Sequence, residues 1–260
     1  MRDVKIKGEK IHFLEAKAAR PGTAWPILFI HGSGGNSGVW QKLMGELSGE
    51  HTCLAVDLPG HGESGGEGRG TIREYTLFIR DFLDGLGIGK VVLGGHSMGG
   101  GIVQDFSLQY PAKAGALLLI GTGARLRVMP EILDLMRKTA SGEIPAKFEP
   151  WGFAQNAAPE VIAEGEQEWA KTGSRARYHD FLACDQFDIM GELEKIRHPA
   201  LIVCGKEDRL TPVKYSEFLQ KKMAGSRMAV IEGAGHMVML EAPKQLAREI
   251  TEFLASINKS

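Results

Sequence analysis

The sequence predicts an α/β fold: a mostly parallel central sheet flanked by helices on both faces, with a helical cap inserted late in the chain. Three observations carry this expectation. Short runs rich in Val, Ile and Leu alternate with amphipathic stretches of helical period, as expected for strands buried on both faces and the helices that cover them. The alternation breaks over residues 125–197, where only helical patterns occur. The composition is that of a soluble globular protein, 43% hydrophobic and 24% charged over 260 residues, which is enough chain to bury a large core without staples.

Taken in order, residues 4–6 and 11–14 predict an edge hairpin turning at Lys7-Gly8-Glu9-Lys10. Buried strands are expected at 25–30, 53–56, 91–93, 116–120, 201–204 and 228–231. A helix is expected over 71–86, where Ile72, Leu77, Phe78, Phe82 and Leu83 are spaced by Arg and Asp. Others are expected over 98–110, ending before Pro111, over 212–223 and over 241–257. Within the break, helices are expected over 130–139, 159–171 and 175–189. The simplest division is a core of residues 1–124 and 198–260 and a helical insertion of residues 125–197. No internal repeat is present, and the one biased tract is the Gly-rich loop 60–70.

Lys plus Arg is 31 and Asp plus Glu is 32, a net charge of -1. This argues against a nucleic-acid partner, which calls for a basic footprint. Cys53, Cys184 and Cys204 are too few and too scattered for a disulfide framework or a zinc cluster; Cys53 and Cys204, inside apolar runs, read as buried apolar groups, and the usage suits a reducing compartment. The N-terminal residues alternate in charge and show no signal-peptide pattern. Apolar stretches fall far short of the ~18 residues a membrane span needs. The expectation is a soluble, cytoplasmic protein with no membrane span.

The strongest chemical signal is Gly95-His96-Ser97-Met98-Gly99, between the expected strand 91–93 and helix 98–110. A serine at so tight a strand-to-helix turn is held in a strained conformation, and side chains two positions away on either side would clash, hence the two glycines. The helix N-terminus behind it offers N–H groups and a positive dipole to a developing oxyanion. A serine hydroxyl is a weak nucleophile and needs a base. That base in turn needs a buried carboxylate to orient it and stabilise its cation.

At this motif the sequence resembles the α/β-hydrolase superfamily, a serine-esterase-like member with a helical cap. Ile30-His31-Gly32-Ser33-Gly34-Gly35 looks like the family's His-Gly oxyanion loop. The resemblance implies Ser33 and Met98 N–H groups as the oxyanion hole, with His31 a structural support. Glu232-Gly233-Ala234-Gly235-His236-Met237 resembles the catalytic-histidine loop, which makes His236 the base. Gly205-Lys206-Glu207-Asp208 resembles the acid loop, which makes Asp208 the acid. Glu207 is the adjacent competitor and is expected to face solvent; Asp185 and Asp188 are further candidates. The order Ser97, Asp208, His236 agrees with this fold. The loop Asp57-Leu58-Pro59-Gly60-His61-Gly62-Glu63-Ser64 looks like a structural turn. Its formal G-x-G-x-x-G match lacks the helix and distal acid of a dinucleotide site. No metal-ligand spacing is present and no cofactor is expected.

The resemblance implies a serine hydrolase cleaving a carboxylic ester or related acyl bond of a small apolar substrate. The same triad also runs carbon–carbon bond hydrolysis, thioester hydrolysis, lactone opening and perhydrolysis, and a ligand receptor with a retained triad is the reading from another class. In the cap, Trp151, Phe153 and Trp169 are expected to contribute to an apolar pocket. The cap arginines Arg125, Arg127, Arg175 and Arg177 are expected to be solvated, with Arg125 the one closest to a strand end.

Overall fold

The structure is a computed structural model that describes residues 1–19 and 25–257. It opens with a hairpin of β1 (Arg2–Ile6) and β2 (Glu9–Ala16). Lys7 and Gly8 at the turn have φ of 49° and 90°, the pair of positive values that a two-residue type I′ turn requires. β3 (Ile27–Ile30) leads through a 3-10 turn at Ser37–Trp40 into α1 (Gln41–Leu47), then β4 (Cys53–Val56) and α2 (Ile72–Gly85). β5 (Val91–His96), α3 (Met98–Gln109) and β6 (Ala114–Ile120) follow. The expected helices of the insertion are α4 (Pro130–Ser141), α5 (Pro159–Ala170) and α6 (Ser174–Gln186). The chain ends with β7 (Ala200–Gly205), α7 (Val213–Lys222), β8 (Arg227–Ile231), α8 (Val238–Glu241) and α9 (Pro243–Ile257).

The strands form one eight-stranded sheet in the order β1-β2-β4-β3-β5-β6-β7-β8. β2 is antiparallel to both its neighbours, and every pair from β4 to β8 is parallel. Period-two alternation divides the buried side chains between two clusters. Leu28, Ile30, Leu117, Leu119 and Ile202 face α2 and α3, whereas Ile27, Phe29, Leu118, Ile120 and Val203 face α1 and α9. α2 is started by Thr71, whose side chain accepts the Glu74 N–H as an N-cap while its hydroxyl donates to Glu74 Oε2.

Two expectations need correction. The helix expected over 241–257 begins two residues later, at Pro243, because proline disfavours helical geometry at the residue before it; Ala242 has φ of -140° and separates it from the short α8. The helix expected to reach 189 stops at Gln186. Beyond it Phe187 is extended, and Asp188 pairs with Arg125 in an antiparallel bridge that closes the base of the insertion. Arg125 and Arg127 face Asp188 and Asp185 at 3.9 and 3.8 Å on the surface. Asp185 also accepts the Val128 N–H, so both aspartates fasten the insertion rather than compete for the triad.

The strand order reverses between β3 and β5. The chain leaves β3 toward β4 on one side and leaves β5 toward β6 on the other. The crevice outside the carboxyl ends at such a point is where open α/β sheets place ligands. Ser33 follows β3 and Ser97 follows β5, so the two loops flank this crevice.

Candidate active site

Ser97 stands in a strained backbone conformation. Its φ and ψ are 52° and -116°, and Lys7 is the other non-glycine residue with positive φ among the described residues. The close approach behind this strain explains the flanking glycines. A Cβ on Gly95 would lie 2.2 Å from the Gly99 carbonyl oxygen, and one on Gly99 would lie 2.3 Å from that of Ile30. Thr122 Oγ1 donates to the Ser97 carbonyl at 2.7 Å, tying the turn to the end of β6.

His236 and Asp208 sit beyond the carboxyl ends of β8 and β7. His236 Nδ1 lies 2.8 Å from Asp208 Oδ2, with both side chains buried. Because Nδ1 faces a carboxylate, it is the nitrogen that carries the proton in the neutral tautomer, which makes Nε2 the acceptor. Asp208 Oδ1 accepts the Leu210 and Thr211 N–H groups at 2.9 and 2.8 Å, and Oδ2 accepts the Thr211 hydroxyl at 2.8 Å. Burial alone would raise the Asp208 pKa. The hydrogen bond and charge of His236, with the Thr211 donors, outweigh burial and hold the carboxyl below its ordinary value. Glu207 does not simply face solvent as expected: its Oε2 accepts the Gln155 N–H from the insertion.

The His236 loop is held on three sides. The His236 N–H donates to the Gly152 carbonyl of the insertion at 2.6 Å. His96, the residue before Ser97, donates from Nε2 to the His236 carbonyl at 3.0 Å. Burial, then the charge of His236, push the His96 pKa well below its ordinary value, so His96 is a neutral strut. Glu241 Oε1 accepts the Gly235 and Met237 N–H groups on either side of His236, and its Oε2 accepts Ala154 N–H. Burial raises the Glu241 pKa despite these three donors.

The loop after β3 lies against the elbow: a Cβ on Gly32 would come within 3.1 Å of Ser97 Cβ. The Gly32 carbonyl accepts the Gly35 N–H at 3.0 Å and the His31 Nδ1–H at 2.8 Å. His31 Nε2 accepts the Leu58 N–H, which fixes its tautomer, and burial lowers its pKa to about 4. His31 is thus a neutral support, as the sequence implied. With the Gly32 carbonyl held by two donors, the Ser33 N–H in the same peptide plane points the opposite way. Neither the Ser33 nor the Met98 N–H donates to a protein acceptor among the described residues. Asp57 accepts Ser37 and Glu63 N–H groups at 2.6 and 2.8 Å, the structural turn expected of its loop.

The sequence profile of the alpha/beta hydrolase family matches residues 27–249. The chain belongs to this family. Among curated relatives, monoacylglycerol lipase abhd6-B of Xenopus laevis is 24% identical over 274 residues, covering 95% of this chain and 80% of that protein. A thermophilic esterase from Thermogutta terrifontis superposes with a TM-score of 0.87 at 26% identity, covering 99% of each chain. A further thermophilic esterase superposes with a TM-score of 0.81 at 31% identity, covering 98% of this chain and 97% of that one.

This α/β-hydrolase departs from the sequence reading at several side chains. Arg177, expected in solvent, is 7% exposed; its guanidinium carbon lies 3.7 Å from the Trp169 ring centre and its Nη2 donates to the Thr172 carbonyl. Burial lowers its pKa to about 10. Trp151 is 46% exposed, whereas Phe153 is buried against Gly165 and Phe148. His96, Thr211, Glu241 and Asp180 were not singled out as supports. Thr211 alone had a local signal, a hydroxyl three residues after the acid. The three cysteines are buried and free. Among the described residues no cluster of metal-ligating side chains occurs, and no helix is long and apolar enough to cross a membrane.

Proposed function

We propose that the chain is a serine hydrolase that cleaves carboxylic esters of small apolar substrates through an acyl-enzyme. The observation that carries the reading is the His236–Asp208 pair at 2.8 Å, beyond the same sheet edge as the strained turn of Ser97. Ser97 Oγ attacks the ester carbonyl as His236 Nε2 takes its proton. The tetrahedral oxyanion is received by the Ser33 and Met98 N–H groups. His236 then returns the proton to the leaving alcohol, activates water, and the acid is released. Asp208 stays ionised, holds the tautomer and stabilises the imidazolium. Residues 125–197 act as a cap over this site. The esterases and the monoacylglycerol lipase among the relatives support an ester substrate, and three free buried thiols suit a cytoplasmic setting. A fluorophosphonate should label the wild type at Ser97, a short p-nitrophenyl ester should be turned over, and Ser97→Ala should do neither. Labelling without turnover of any acyl substrate would favour a receptor instead.

A further inference from the structure

Deep beside the oxyanion loop lies a charged group the triad does not use. Asp180, on the buried face of α6, is fully buried. Its Oδ2 accepts the Gly34 N–H at 2.7 Å and faces His61 Nε2 at 2.8 Å; its Oδ1 accepts the Tyr75 hydroxyl at 2.5 Å. The other His61 nitrogen, Nδ1, faces the Pro59 carbonyl at 3.0 Å. Both ring nitrogens therefore face acceptors, so both carry protons and the ring is an imidazolium. Burial opposes that charge, but Asp180 outweighs it and the His61 pKa lies above its ordinary value. Tyr75 is held protonated by burial and by the same carboxylate. Asp180 and His61 thus form a buried, compensated ion pair.

We infer that Asp180 is a positioning residue for the Ser33 oxyanion donor, acting through the Gly34 amide. The inference rests on the serine-hydrolase reading of the site. Ser33 N–H belongs to the Gly32–Ser33 peptide, whose plane is fixed by the donors on the Gly32 carbonyl. The next peptide, Ser33–Gly34, is fixed from its N–H side by Asp180. Two peptides held at opposite ends leave Ser33 little room to rotate. Gly34 has φ of 69°, and Arg177 Cγ lies 2.8 Å from where a Cβ would stand, so the loop is closed in sterically as well. The insertion adds two further fastenings: Thr172 donates to the Gly35 carbonyl and Asn36 donates to the Glu168 carbonyl. Asp180 is the member whose removal would leave a buried N–H and a buried cation together.

The test is kcat and KM on a short p-nitrophenyl ester, with kcat normalised to sites titrated by a fluorophosphonate. Asp180→Ala should lower kcat per titrated site by tenfold or more, below the ~10²–10³ of losing an oxyanion donor outright, with KM within about twofold because ground-state binding is untouched. Asp180→Asn keeps an oxygen able to accept the Gly34 N–H and should recover part of the loss. The double variant His61→Ala/Asp180→Ala removes both charges, which protects folding, yet still lacks the acceptor, so its kcat should stay low. A folded Ala or double variant with wild-type kcat per site would overturn the inference, leaving Asp180 a purely structural ion-pair partner. If the wild type itself neither labels at Ser97 nor turns over an acyl substrate, the underlying functional reading fails instead.

Discussion

Asp208→Asn removes one charge and almost no volume, and the loop geometry decides what the new amide does. The Oδ1 position receives two backbone donors, Leu210 and Thr211, at 2.9 and 2.8 Å. The amide oxygen must occupy it, because an NH2 there would orphan both N–H groups at about 1–3 kcal/mol each. The NH2 is therefore held at the Oδ2 position, 2.8 Å from His236 Nδ1. There it donates to Nδ1 and moves the ring proton to Nε2, where the base nitrogen should be empty. The imidazolium also loses its counter-charge. Up to ~10⁴-fold in kcat should be lost by analogy with other buried triad acids, or about 5 kcal/mol of barrier at 1.36 kcal/mol per decade. The assay is kcat on a short p-nitrophenyl ester, with circular dichroism to show that the fold persists. Glu207→Gln is the control: its side chain can still accept the Gln155 N–H, so kcat should stay within about twofold of wild type. A folded Asp208→Asn enzyme within tenfold of wild type would refute the tautomer argument. Collapse of Glu207→Gln in its place would move the acid by one residue.

Ser97→Gly should abolish turnover yet raise the melting temperature, because it removes a Cβ from a positive-φ site whose strain costs on the order of 1–3 kcal/mol; thermal unfolding of wild type and variant side by side decides this. Asp208 has a folded pKa below its unfolded value of ~3.9, so it contributes stability above that value, lost as pH falls through the folded pKa. The stability gap between wild type and Asp208→Asn should therefore narrow on acidification from pH 6 to below 4, and a constant gap would mean that the carboxylate charge does not stabilise the fold. Phe153→Ala should cost about 3–5 kcal/mol as a buried large-to-small change, whereas Trp151→Ala, at a 46% exposed side chain, should stay within about 0.5 kcal/mol; denaturant midpoints would expose a reversal.

The residues of the proposed triad could be picked out because each lies in a short, self-contained turn after a strand. Ser97 is announced by Gly95 and Gly99, Asp208 by Gly205 at the end of β7, and His236 by Gly233 and Gly235. Gly95, Gly99, Gly205 and Gly235 answer to close backbone contacts, such as the 2.0 Å that would separate a Gly205 Cβ from the Gly235 carbonyl oxygen, and Gly233 to a φ of 69°, so the local sequence carries the signal. Strands were equally legible, since a run such as Ala114–Ile120 is buried on both faces. α1 was missed because it has seven residues with Gly45 in the middle. The supports were missed for another reason. His61 and Asp180 are 119 residues apart, and nothing in the local sequence of α6 distinguishes a buried aspartate from a solvated one. Arg177 misled in the same way: its partners, Trp169 and the Thr172 carbonyl, become visible only when the turn between α5 and α6 is folded.

That difference bears on how the insertion works. A cap that only selected substrates would touch the core around the pocket and leave the chemical groups to the sheet. Here the insertion supplies the carbonyl that receives the His236 N–H, the amides held by Glu241 and Glu207, and the carboxylate that receives the Gly34 N–H. The His236 loop and the loop after β3, which carry the proposed base and oxyanion donor, are therefore each fastened on one side by the core and on the other by residues 150–180. Rigid parallel strands set the position of each loop, but the orientation of individual peptides within the loops is set from above. A substitution at Gly152 or at Asp180 on α6 is therefore expected to act on kcat through the orientation of these loops.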